Sequence, residues 1–171
     1  MGYSRRDFRR NVALFLAGVM MAAATGTVSA QSVSHIQTES SAIASAVWAG
    51  DTLYVSGTTA SPVTPADRAK GTPAVYGNTQ AQTMSALNKI QDTLRTQGLT
   101  MADVAMMHVY LVGDPANGGK MDFAGMNAAF RQFFGTTAQP NKPARSALQV
   151  MALAAQGALV EIEVIAVRPA K

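Results

Sequence analysis

Apolar positions recur along this chain in two rhythms. Between residues 159 and 167 the rhythm is two: Val160, Ile162, Val164 and Ala166 share one face, and Glu161, Glu163 and Ile165 share the other, as in a strand. Residues 143–150, opened by Pro143, have the same strand character, and 103–112 alternates through Met106, His108 and Tyr110. Nearer the start, 32–38 predicts an edge strand. Residues 41–48 and 51–58 predict a hairpin turning through Ala49, Gly50 and Asp51, residue types that suit a tight turn. The period lengthens to three and four at Thr83, Leu87, Ile90 and Leu94, with Met84 beside them. That spacing predicts a helix over 79–97, capped by Asn78 or Thr79 and stopped by Gly98. Phe123, Met126, Phe130 and Phe133 form a second helical stripe over 122–134, with Gly135 as its stop. Residues 60–78 hold Pro62, Pro65, Gly71, Pro73 and Gly77 and show no period. Structureless segments of that length serve as lids or interface arms or stay disordered, and the pattern leaves all three open.

The element order is therefore β-β-β-α-β-α-β-β, which implies a two-layer α+β domain with two helices on one face of a sheet. The other sheet face would carry Glu161 and Glu163 beside apolar side chains such as Ile165. Copies of the chain would bury that mixed surface in a closed homo-oligomer.

Composition changes this picture mainly at the N-terminus. The chain has 171 residues, enough for one domain with a real core. Its formal charge is +4, but Arg5, Arg6, Arg9 and Arg10, against Asp7 alone, lie in the first thirty positions; the rest holds ten Lys/Arg and nine Asp/Glu. The remainder is almost neutral and gives no support for a nucleic-acid partner or an anionic membrane surface. Ser4-Arg5-Arg6-Asp7-Phe8 resembles the twin-arginine export motif. The apolar run 12–24 that follows is too short for a membrane span, and Val28-Ser29-Ala30 fits a signal-peptidase site. Residues 1–30 are thus expected to be a signal peptide, with 31–171 a single domain released into the bacterial periplasm and no stable membrane association after cleavage. The chain has no cysteine, which excludes disulfides, thiolate metal sites and cysteine nucleophiles. His35 and His108 are far apart in sequence, no metal-binding spacing is present, and His108 is expected as a packed or hydrogen-bonded strand residue. No cofactor or metal is called for.

Two charges interrupt apolar runs. Arg145 follows a proline that fixes the backbone, and Glu161 sits in the most apolar strand, where an unpartnered carboxylate is costly. A simple hairpin of the last two strands would put Val150 opposite Glu161 and leave Arg145 five positions away, about 16 Å at strand rise. One small ligand cannot span that distance. Either the strands pair differently or another subunit completes the site. Ser56-Gly57 ends a strand with a hydroxyl and a backbone open to close approach. Asn127 lies beside the second helix's apolar face, as a local hydrogen bonder or a site residue.

Pro143-Ala144-Arg145-Ser146, an apolar strand, and then Val160-Glu161-Ile162-Glu163 resemble the signature of the Rid family, the YjgF-like reactive intermediate (imine) deaminases. Leu53-Tyr54-Val55-Ser56-Gly57, Gln82-Thr83, Gly98-Leu99, Asp103-Val104 and Phe123 through Asn127 to Phe133-Phe134 fall in family order, so that the resemblance spans nearly all of 33–169. It implies a chorismate-mutase-like fold assembled as a homotrimer with sites at subunit interfaces. The implied activity is hydrolysis of 2-imino acids and their enamine tautomers, such as 2-aminoacrylate, to 2-oxo acids and ammonia. Arg145 would clamp the substrate carboxylate, Glu161 would activate water, and groups at Ser56, Gly57, Asn127 and Ala147 would complete the substrate site. The chain departs from many active members at Ile43, where they carry tyrosine, and at Ala147, where they carry cysteine or threonine. The alternatives are a non-catalytic protein that binds or senses small carboxylates on the same scaffold and a ribonuclease, the latter opposed by the near-neutral charge.

Overall fold

The alternating segments become one six-stranded sheet. The computed structural model describes residues 32–170, so the expected signal peptide lies outside the described residues. Its elements are β1 (Val33–Ile36), β2 (Ala46–Ala49), β3 (Thr52–Thr59), α1 (Thr79–Thr96), β4 (Val104–Val112), α2 (Phe123–Phe130), β5 (Ala144–Val150) and β6 (Val160–Val167). The strand order is β1-β2-β3-β6-β4-β5. β4 and β5 run parallel, joined by the α2 crossover, and the other neighbours are antiparallel. The last two strands are therefore not a hairpin: β4 lies between β5 and β6.

Both helices belong to one face of the sheet. Leu53 and Val55 of β3, Met107, Val109 and Leu111 of β4, and Val160, Ile162, Val164 and Ala166 of β6 are buried there with Ala86, Leu87, Ile90 and Leu94 of α1 and Met126 of α2. Helix α1 begins at Asn78, whose side chain accepts the Ala81 N–H at 2.9 Å. It ends before Gly98, which supplies the positive φ of 73° that lets the Leu99 N–H bond back to Leu94 O. Gln97, at its C-terminus, accepts the indole N–H of Trp48 at 3.1 Å.

Two boundaries differ from the periodicity. The second strand starts at Ala46 rather than 41, because serine and threonine hydroxyls at 38–41 bond to one another and both polar groups of Ser45 turn to Ile36 O. Local side-chain bonding of this kind competes with a ladder. The second helix ends at Phe130 rather than 134. Beyond it the Gln132 and Phe133 N–H groups bond three residues back, which swings Phe134 into the core and stacks its ring on Phe130 at 4.8 Å. Residues 60–78 form an arm folded on itself by isolated bridges at Thr64–Val75 and Asp67–Thr72.

Gln82 holds the end of the long loop before β6. Its amide donates to Gly77 O at 3.0 Å and Gly157 O at 3.3 Å, and its carbonyl accepts Leu159 N–H at 2.7 Å; the side chain is 1% exposed. Replacing it by Leu leaves those buried backbone groups unpaired, which costs about 1–3 kcal/mol. Gln82→Leu should therefore lower the urea midpoint with an unchanged m-value.

Candidate active site

Arg145 projects from edge strand β5 toward the helix layer. Its register partner is Met107, a core residue, and its guanidinium reaches α2. Nη2 donates to Asn127 Oδ1 at 2.8 Å, Nη1 meets Met126 Sδ at 3.5 Å, and the guanidinium carbon lies 4.3 Å from the centre of the Phe130 ring and 5.7 Å from that of Phe123. The residues Phe123, Met126, Asn127 and Phe130 share one face of α2 by their three- and four-residue spacing, so the helix period builds the cage. Burial holds the Arg145 pKa below the ordinary guanidinium value. No carboxylate of the described residues lies within ion-pair distance of it. Ala147, two residues along β5 on the same face, packs at the margin of the core and brings only a methyl group.

Glu161 projects from β6 to the opposite side of the sheet. It is paired in register with Tyr110 and Thr59. Its Oε1 is pressed against Gly57, where a β-carbon would collide with it. Gly57 lies in the stretch where the β3–β6 register shifts between Val55 and Thr58, and such irregularities re-aim a strand locally. Ser56 donates its hydroxyl to Ala44 O at 2.7 Å, so its proton is committed to the fold.

On the same open face Glu163 is satisfied. Its Oε1 is 2.8 Å from His108 Nδ1 and accepts from the Tyr110 hydroxyl at 3.0 Å. That bond first, then burial and the charges of Glu163 and Glu161, push the Tyr110 pKa up. Glu161 has no side-chain hydrogen-bond partner among the described residues.

The site residues therefore divide into two halves. Arg145, Asn127 and Ala147 lie on the helix side at the sheet edge; Glu161 lies two strands inward, and Ser56 and Gly57 three. Counting through the Tyr110 and Met107 levels, the backbones of Arg145 and Glu161 are separated by about 10 Å across the sheet and about 10 Å along it, with side chains on opposite faces. They do not meet within one chain. The aromatic cage and the His108–Glu163–Tyr110 cluster were not singled out as site features from the sequence; the i, i+4, i+7 spacing of Phe123, Asn127 and Phe130 was the available signal for the cage. Among the described residues no group of three or more histidines, acids or cysteines could hold a metal ion, and no helix is long and apolar enough to cross a membrane.

A profile of the family described as Endoribonuclease L-PSP matches residues 39–168. The chain belongs to that family. A RutC family protein of Haemophilus influenzae is 36% identical over 107 residues, covering 63% of this chain and 73% of the relative. A second RutC family protein, from Sulfurisphaera tokodaii, is 31% identical over 120 residues, 70% of this chain and 82% of the relative. The crystal structure of a Mycobacterium tuberculosis member of the YjgF/YER057c/UK114 family is 29% identical, covers 80% of this chain and 100% of its own, and superposes with a TM-score of 0.58. A YjgF family protein of Neisseria meningitidis, 24% identical over 84% of this chain and 100% of its own, has a TM-score of 0.61. The fold is thus the YjgF-like α+β fold.

Glu161 meets Gly57 with the free end of a flexible side chain, so an added methyl displaces the carboxylate more readily than the backbone. Gly57→Ala should fold with a stability change of about 0.5 kcal/mol or less. A crystal structure of the variant should show the Glu161 carboxylate moved off β3.

Proposed function

We propose that the protein is a hydrolytic deaminase of reactive 2-imino acids and their enamine tautomers, working as a homotrimer whose sites are shared between neighbouring chains. The observation that carries this reading is the pair of uncompensated, opposite charges: a caged guanidinium at one sheet edge and an unpartnered carboxylate backed by glycine on the other face. A small anion would supply what Arg145 lacks. Because the two groups of one chain diverge, a neighbouring copy has to bring its Ser56-Gly57-Glu161 side against the first copy's β5 edge.

The chemistry then needs only positioning and one base. Arg145, aimed by Asn127 and Phe130, takes the substrate carboxylate in a two-pronged bond. Glu161 removes a proton from a water molecule as its oxygen attacks the carbon of the protonated imine, and the C=N π pair moves to nitrogen. The resulting amino alcohol is protonated on nitrogen by the Glu161 carboxyl. The C–N bond breaks as the Glu161 carboxylate takes the hydroxyl proton and passes it to solvent, releasing ammonia and a 2-oxo acid. Backbone groups near Gly57 and Ala147 hold the imine end, since neither the committed Ser56 hydroxyl nor the Ala147 methyl donates a proton. An imine is electrophilic enough for orientation and a base to suffice.

RNA is a poorer fit, although the family description carries the word endoribonuclease. The open sheet face presents two carboxylates, and the chain beyond residue 30, with ten Lys/Arg to nine Asp/Glu, has a basic excess of only one to meet a polyanion. Export to the periplasm through residues 1–30 belongs to the same proposal; cell fractionation should find the protein there, with Gln31 as its first residue.

Mixing two inactive variants tests the shared site. Arg145→Ala and Glu161→Gln should each lower 2-oxo acid release from a freshly generated imine by about a hundredfold or more. Refolded together in equal amounts, they should recover activity at about a quarter of the sites, because intact halves from two different chains then meet. No recovery in verified mixed trimers would sink the shared site, and no turnover of any imino acid by the parent would sink the deaminase.

A further inference from the structure

Beside Gly57, between the segment that leads into β2 and the outer side of α1, lies a cleft of about 430 Å³. That is within the range of small-molecule sites. Hydroxyl residues dominate its walls, and most of their protons are already used. Ser45 donates to Ile36 O at 2.9 Å, Ser56 to Ala44 O at 2.7 Å, Thr58 to Ser56 O at 2.9 Å and Thr93 to Lys89 O at 3.0 Å. A hydroxyl has one proton and two lone pairs, so these four oxygens can only accept from a ligand. The one charge in the lining is Lys89. Its ammonium gives one proton to Thr59 O at 2.9 Å and keeps two to donate. No acidic side chain lines the cleft.

A ligand group suited to these walls donates to neutral oxygens and accepts from an ammonium. A cation would meet Lys89. A second carboxylate would face four oxygens that offer it no proton, and an alkyl group would leave both Lys89 and the oxygens unanswered. A carboxamide carries two N–H donors and one carbonyl acceptor and answers both. We infer that this cleft is the side-chain subsite of the site proposed above and selects acids that bear a neutral carboxamide, as in an imine formed from a glutamine-like amino acid. The inference rests on the shared-site reading for the position of the α-carboxylate. Gly57 links the two, because it lines the cleft and also backs Glu161. Ile43, which lines the same cleft and is 67% exposed, leaves its rim without a further hydroxyl.

Three stable probes separate the possibilities by calorimetry on the full chain: glutaramate, glutarate with its second carboxylate, and 5-methylhexanoate as the apolar isostere of the amide. Glutaramate should bind about tenfold more tightly than either of the others. Lys89→Met should abolish that preference, bringing glutaramate down to the affinity of 5-methylhexanoate or below; Lys89→Gln serves if the Met variant melts early. Equal or tighter binding of 5-methylhexanoate or glutarate, no binding of any probe, or a preference that survives both variants would overturn the subsite. The readout does not need turnover. Amide preference without 2-oxo acid release from any imine keeps the subsite and removes the deaminase; turnover without amide preference does the reverse.

Discussion

The placement of one guanidinium constrains everything else in this molecule. Arg145 is half-buried, which costs solvation, and its neighbours are an amide oxygen, a thioether and two aromatic rings. These contacts orient the charge and recover part of the lost solvation, but none neutralises it. A cation held in this way on an edge strand, with a helix fixing its rotamer, has a standing affinity for an external anion. Proline at 143 and the parallel pairing of β5 with β4 set where the strand begins; the α2 crossover sets the cage. Removing the helix layer would leave an ordinary surface arginine.

The sheet then decides which groups of the same chain can face such an anion. Alternation sends Arg145 and Glu161 to opposite faces, and β4 separates their strands. The two titratable side chains nearest Glu161 on β4 do not neutralise it: Tyr110 turns its hydroxyl to Glu163, and His108 turns Nδ1 to the same oxygen. Two carboxylates two residues apart on one strand thus have different fates. One is tied into the sheet, and the other stays open against a glycine. A face that combines these groups with Tyr54 and Leu148, both substantially exposed, is well suited to meeting copies of itself.

Much of this was legible in the sequence, and the reasons are specific. The stripe Leu87, Ile90 and Leu94, the cap Asn78 and the stop Gly98 described α1 almost to the residue, because each acts locally. The alternation in 160–167 placed Glu161 and Glu163 on the face away from the core for the same reason. Pairing was not legible: nothing local in 143–167 says that a strand from forty residues earlier inserts between β5 and β6. A hairpin therefore misjudges the neighbours; its register shows only that such a pairing keeps Arg145 and Glu161 apart, and it leaves a different pairing and a second subunit equally open. The boundaries at Ala46 and Phe130 moved because hydroxyl bonding and aromatic stacking outweighed propensity.

Gly57 shows why the remaining site residues were only half visible. From sequence, a glycine near a strand end signals close approach by something unspecified. The structure gives that something as the Glu161 carboxylate, and the register shift in β3 turns the same residue toward the Lys89 cleft on the other side. A residue with a side chain could serve one of these surfaces but not both. The Glu161 carboxylate and the cleft are joined through an atom that is missing, so sequence reading could mark the position but could not assign its neighbours. In the proposed deaminase the same geometry would link specificity to catalysis, because Gly57 both lines the cleft and backs the Glu161 carboxylate.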